Sequence, residues 1–195
     1  MASTPNNTAN VSVGKGKTGG YFFLAPAGTA LPTDNKTTLD TAKFLNMGFL
    51  GDDGAVFSDS SSVDTYYDLN GDAIETSNGE IEKTFTVTFR EIKKDSLAVI
   101  NGSANVTDAT GKLTVHDKGP NDATYVGVFE FLLKNGRKWR RVVPQCKVGE
   151  LGDMTVVYNE LVGREITMTA LLDATTGDYY IDYYDSTETT ETGAK

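Results

Sequence analysis

Residues 79–101 read GEIEKTFTVTFREIKKDSLAVIN, and the first half of this stretch decides the fold class. From Glu80 to Ile92 the side chains alternate. Ile81, Phe85, Val87 and Phe89 fall on one face; Glu80, Glu82, Thr84, Thr86, Thr88 and Arg90 fall on the other. A period of two, carried by β-branched and aromatic residues, predicts a half-buried strand. Strands usually run ~5–6 residues, so this one is long and would reach ~43 Å at ~3.3 Å per residue. The period then changes. Leu97, Ala98 and Ile100 follow a polar Lys93–Ser96 start. That pattern predicts a short helix, capped by Asp95 or Ser96 and ended at Asn101-Gly102.

Upstream, Tyr21–Ala25 reads as a buried strand and residues 37–45 as one or two helical turns. Residues 46–79 are rich in Gly, Asp and Ser and show only short strand-like pieces at Val63–Leu69 and Ala73–Thr76. They are expected to form a long loop, which in a compact domain is usually functional. Downstream, Lys112–His116 reads as a short strand. Tyr125–Lys134 then runs into Asn135-Gly136, the strongest two-residue turn signal, and returns as Arg137–Val143. A two-residue turn would set Glu130 opposite Arg141, Leu132 opposite Trp139 and Phe129 opposite Val142. Both faces of this hairpin are partly apolar, so one needs a second covering layer. Pro144–Gly152 reads as a short irregular or helical connection, with strands at Met154–Tyr158, Arg164–Leu172 and Tyr179–Tyr184. The expected fold is all-β and mainly antiparallel: a sandwich or barrel of about eight strands, one or two short helices and a long loop. It is read as a single domain over 1–195, with 1–10 and 185–195 flexible.

The totals exclude several classes. The 195 residues are 38% hydrophobic, enough for one sizeable core. No apolar run approaches ~18 residues, so no membrane span is expected, and the N-terminal residues do not have the pattern of a signal peptide. One cysteine, Cys146, excludes an internal disulfide framework. The balance of 18 bases against 27 acids gives −9, which disfavours DNA as a tightly held ligand.

Candidate chemistry is sparse. Gly14–Thr18 contains Gly-Lys-Thr, but a phosphate loop needs a glycine where Val11 stands and a helix afterwards. Asp68-Leu-Asn-Gly-Asp72 hints at a calcium loop, but its glycine and glutamate spacing is wrong for one. His116 and Cys146 lie in no recognisable motif and are read as a surface histidine and a half-buried cysteine. No catalytic residue, metal or cofactor is assigned. Charge is instead segregated: nine acids and no bases between Phe44 and Glu82, six bases and no acids from Lys134 through Lys147. Opposite surfaces of this kind let copies associate head to tail. The expected contacts join Asp52, Asp53 and Asp59 of one subunit to Arg137, Lys138, Arg140 or Arg141 of another, with Leu132 and Trp139 supplying apolar area.

The order of these pieces resembles the major tail protein, or tail tube protein, of long non-contractile-tailed bacteriophages. The resemblance is carried by Val11-Ser-Val-Gly-Lys-Gly-Lys-Thr-Gly-Gly-Tyr-Phe-Phe23, by Leu45-Asn-Met-Gly-Phe-Leu-Gly-Asp-Asp-Gly54, by the strand before the short helix, and by Val156-Val-Tyr-Asn-Glu160 before Gly163-Arg-Glu-Ile-Thr-Met-Thr-Ala-Leu. It covers roughly Asn10 to Tyr184. It implies a structural, non-enzymatic subunit of the virion tail, assembled in the host cytoplasm into hexameric rings. Such rings stack around the tape measure protein, meet tail terminator and distal tail proteins, and let double-stranded DNA pass without tight binding. An appended immunoglobulin-like domain is not expected. On this reading the polar face of the long strand (Glu80, Glu82, Thr84, Thr86, Thr88 and Arg90) lines the lumen. The alternatives are a tail completion or decoration protein, or a calcium- or carbohydrate-binding β-sandwich module.

Overall fold

The structure, a computed structural model, describes residues 6, 8–119 and 121–186. Among them the chain runs β1 (Lys15–Gly16), β2 (Phe22–Pro26), β3 (Leu45–Asn46), β4 (Leu50–Tyr67), β5 (Ala73–Phe89), α1 (Lys94–Asn101), β6 (Val106–Ala109), β7 (Lys112–Val115), β8 (Thr124–Leu132), β9 (Lys138–Thr155), β10 (Gly163–Ala170) and β11 (Ile181–Tyr184). Nine strands form one antiparallel sheet in the order β3-β2-β8-β9-β10-β5-β4, with β1 also on β8 and β11 also on β9. β6 and β7 pair apart from it. The fold is all-β, as expected, with one α-helix among the described residues.

The sheet curls over its own apolar face. Phe22 on β2 stacks on Phe129 of the adjacent β8, with ring centroids 4.3 Å apart. It also lies 6.0 Å from Phe85 and 6.2 Å from Phe89, both on β5. Three strands separate β2 from β5 in the hydrogen-bonding order, so these contacts require the sheet to wrap round. Val87, Ile166 and Met168 fill the enclosed space, and α1 adds Val99 and Ile100. The outer face of β2, β8 and β9 is apolar too, with Phe23, Ala25, Val126, Val128 and Val142. The covering layer that this face needs comes from Leu31, Leu39 and Phe44.

Four readings are corrected. Residues 46–79 are not an irregular loop: most of them belong to β4 and β5, paired from Leu50↔Phe89 out to Tyr67↔Ala73. The backbone ladder, rather than apolar alternation, holds these strands. The β8–β9 turn spans three residues, Lys134–Gly136, closed by Leu133 N donating to Arg137 O at 2.7 Å. Asn135 and Gly136 both take positive φ, 64° and 74°. The extra residue moves the pairing by one, to Glu130↔Arg140, Phe131↔Trp139 and Leu132↔Lys138. β9 also runs unbroken through Pro144, which lies at the register shift opposite Tyr125–Gly127. A bulge is where a strand tolerates a residue with no N–H to donate. Finally, Ser96 serves α1 from inside its first turn. Its hydroxyl donates to Glu91 O at 2.9 Å and accepts from Lys93 N at 3.4 Å. Gly102, at φ 86°, ends the helix where expected.

Candidate assembly surfaces

β5 presents its expected faces where β10 supports it. Phe85, Val87 and Phe89 are buried. Thr84, Thr86 and Thr88 point the other way, and directly opposite residues share a face in an antiparallel pair. Thr84 lies between Ser58 of β4 and Thr169 of β10, and Thr86 between Val56 and Thr167. Thr88 faces Glu165, while Thr167 and Thr169 continue the row to Glu150 and Lys147 on β9. The hydroxyls of Thr86 and Thr167 are 2.9 Å apart and hydrogen-bonded. A largely polar face therefore spans four strands. Glu80 and Glu82 extend it along β5 beyond the reach of β10. Arg90 lies past the strand end, where its Nη1 donates to Leu161 O at 2.7 Å and its Nη2 stands 3.9 Å from Asp52.

The β10 pairing of β5 stops at Lys83. Residues 60–82 therefore form a two-stranded ribbon with no third strand among the described residues, and Ile81, expected in the core, is 50% exposed there. Val63, Tyr66, Tyr67, Leu69 and Ile74 are also exposed on it. About ten residues per strand reach ~33 Å. The tip is built by Asp68, whose Oδ1 accepts from Asn70 N and Asp72 N, each at 2.8 Å. The Asp72 N–H above all, helped by the Asn70 N–H and side chain and the Gly71 N–H, holds the Asp68 carboxyl below its usual range, against an opposing desolvation second in size only to the Asp72 contribution. This carboxylate caps its own turn. Among the described residues no group of three or more His, Cys, Asp or Glu is placed to hold a metal ion.

The basic hairpin departs most from expectation. Arg140 is not a surface contact: it is 2% exposed and faces Glu130, itself 6% exposed. Its guanidinium forms an ion pair with Glu130 and donates to Asp34 O at 2.7 Å and Thr37 O at 2.8 Å. Lys17, from the Gly-Lys-Thr segment, pairs with the other Glu130 oxygen. Arg141 is also committed within the chain. It holds Asp182 through two bonds of 2.9 and 2.8 Å and lies 4.4 Å from the Phe57 ring centroid. Trp139 is half-buried, donates to Asp182 at 2.7 Å and stacks on Tyr184. Arg137, Lys138 and Leu132 are partly exposed. Of the acids, Asp59 pairs with Lys83 at 2.9 Å. Asp52 and Asp53 are exposed and line a groove of about 560 Å³ that Trp139 and Phe131 of the same chain also line. The structure thus brings Asp52, Asp53 and Trp139 together within one subunit.

Lys17, Asp34 and Asp182 were missed because nothing near them in sequence marks their partners, which lie 113, 106 and 41 residues away. Cys146 is fully buried rather than half-buried, and burial pushes its thiol well up. His116 is exposed, as expected. Among the described residues no helix is long and apolar enough to cross a membrane.

No curated protein matches the chain. Several solved structures are similar, and two of them span most of this chain. One is the anti-feeding prophage tube-terminating cap, at 10% identity and a TM-score of 0.43 over 95% of each chain. The other is from the PVC sheath-tube complex of an extracellular contractile injection system in its extended state, at 13% identity and a TM-score of 0.40 over 83% of this chain and 87% of that one. Likenesses this low add nothing to the assignment. The family described as phage tail tube protein, in contrast, matches residues 4–190, nearly the whole sequence. The chain belongs to the phage tail tube protein family and is a structural subunit of a virion tail.

Proposed function

We propose that copies of this chain close into rings, hexameric as the family resemblance implies, that stack into the conduit of a long non-contractile tail. The ribbon of residues 60–82 carries this reading. An isolated two-stranded hairpin is marginal in water, and this one exposes Val63, Tyr66, Tyr67, Leu69 and Ile74. A neighbouring copy that covers it supplies the missing burial. The free edge of β4 adds to the argument: its 18 residues end the sheet, with no strand on their outer side among the described residues. Unpaired edges of that length invite pairing, and a closed ring of copies covers them.

On this reading the polar face of β5, from Glu80 to Thr88, lines the lumen. Arg90 sits at the rim. The net charge of −9 repels phosphates, so double-stranded DNA passes without being gripped. Asp53, Arg137 and Lys138 remain on the surface for contacts between subunits. The tape measure protein occupies the lumen first, and terminator and distal tail proteins close the ends. Assembly takes place in the host cytoplasm and genome ejection follows through the finished tube. The role involves no catalysis and no cofactor. Sedimentation and negative-stain microscopy of the purified chain test it: rings or tubes are expected, and monomers at all concentrations overturn it.

A further inference from the structure

We infer that the tip of the β4–β5 ribbon docks in a socket between α1 and β10 of a second copy, with Leu69 as the knob and Arg164 as the anchor for Asp72. The inference rests on the stacked-ring reading and names the contact that stacking uses.

The socket is a small, mainly apolar groove of about 100 Å³ lined by Phe89, Leu97, Ile100, Met154 and Arg164, with Glu91 also in its wall. The Glu91 carboxylate is already engaged, accepting from the Phe49 N–H at 2.9 Å and lying 3.5 Å from Lys93. Its volume is of the order of the ~150 Å³ cavity left by truncating one buried leucine in a well-packed protein. Arg164 is half-buried, and its Nε is buried with no hydrogen-bond partner among the described residues. Leaving a charged donor unsatisfied costs free energy until an acceptor arrives. Arg164 forms none of the ion pairs seen among the described residues, unlike Arg90, Arg140 and Arg141. The groove thus asks for one aliphatic side chain beside one carboxylate.

The ribbon tip offers that pair. Leu69 is fully exposed at the turn. Asp68 is occupied in building the turn, whereas Asp72 contributes only its backbone to it. No base lies between Phe44 and Glu82, so the tip carries only the charge that complements Arg164. The two features also lie at opposite ends of one strand. β5 leaves the tip at Ala73 and ends at Phe89, which lines the socket. A knob at one end and its hole at the other make a heterologous contact, which does not close on a pair and propagates along an axis wherever its rotation does not close a ring.

The test uses the full chain. Leu69→Ser, at an exposed turn where folding is not at risk, and Arg164→Asp should each abolish tubes while leaving rings. Combining Arg164→Asp with Asp72→Arg should restore tubes. Independently, Leu69→Cys with Leu97→Cys should give a ladder of disulfide-linked chains on oxidation of tubes, because the native Cys146 is buried. Wild-type-like tubes from Leu69→Ser together with no ladder would overturn the socket while leaving the stacked-ring reading intact. Failure of the wild-type chain to form rings or tubes overturns that reading, and the socket with it.

Discussion

Glu130 and Arg140 face each other across β8 and β9 as a buried ion pair, with Lys17 on the second carboxylate oxygen and the Asp34 and Thr37 carbonyls on the remaining guanidinium donors. This cluster ties three parts of the chain together: the segment after β1, the 27–44 cover and the central hairpin. Removing one partner of such a pair strands a buried charge, whereas replacing both need not. Glu130→Leu is expected to cost ~3–5 kcal/mol, read as a lower urea midpoint. The double variant Glu130→Leu/Arg140→Met should recover much of that loss. Equal losses in both would show that the pair itself is not what the fold depends on there.

Acid should loosen the same region. The Asp34 carboxyl is lowered to about 2, chiefly by the Thr37 hydroxyl, then by the Thr37 and Lys36 N–H groups, with Arg140 adding to them. A folded-state value below the unfolded one contributes stability above the unfolded value of 3.8 and loses it as pH falls toward about 2. Thermal melts at pH 5, 4, 3 and 2 should therefore show a falling midpoint. Asp34→Asn should lower the midpoint at pH 5 and flatten the decline.

The ribbon should behave differently in free and assembled chains. Limited proteolysis of a dissociated subunit is expected to cut within residues 60–82 first, because two strands without a third open easily. The same stretch should resist cleavage in tubes. Equal cleavage in both states would mean that no copy covers it.

The lumen assignment predicts a charge effect on DNA passage. Glu80→Lys with Glu82→Lys lies on exposed residues, so the fold should persist. Each reversal shifts a subunit by two charges toward the DNA-binding sign. Ejection from particles built with this variant should slow, and added salt should restore it, since phosphate contacts weaken steeply with salt. An unchanged ejection rate in low salt would place these glutamates away from the DNA path.

Sequence made β5 legible where β10 supports it, since Phe85, Val87 and Phe89 alternate strictly with threonines. It showed the ribbon only as two short strand-like pieces, Val63–Leu69 and Ala73–Thr76, and hid the rest of β4. There the residues are Asp, Ser and Gly, poor strand formers in general, and the apolar residues are exposed and follow no period. Backbone pairing holds that segment, and pairing leaves no trace in composition. The hairpin shows how much one residue decides. Asn135-Gly136 located the turn, but Lys134 joins it as a third residue. A one-residue slip turns every side chain to the opposite face. It moved Arg140 from the expected contact surface to the buried partner of Glu130. Charge segregation between the two regions was visible from sequence; that Arg140 and Arg141 would be used within the chain was not, because Asp34 and Asp182 are distant in sequence.

The most direct test of the tube account is a helical reconstruction of assembled chains by electron cryomicroscopy. The account predicts stacked closed rings, with Thr84, Thr86 and Thr88 facing the lumen and residues 60–82 lying on a different copy. A tube whose inner wall is formed by another face, or whose ribbons project free into solvent, would contradict it.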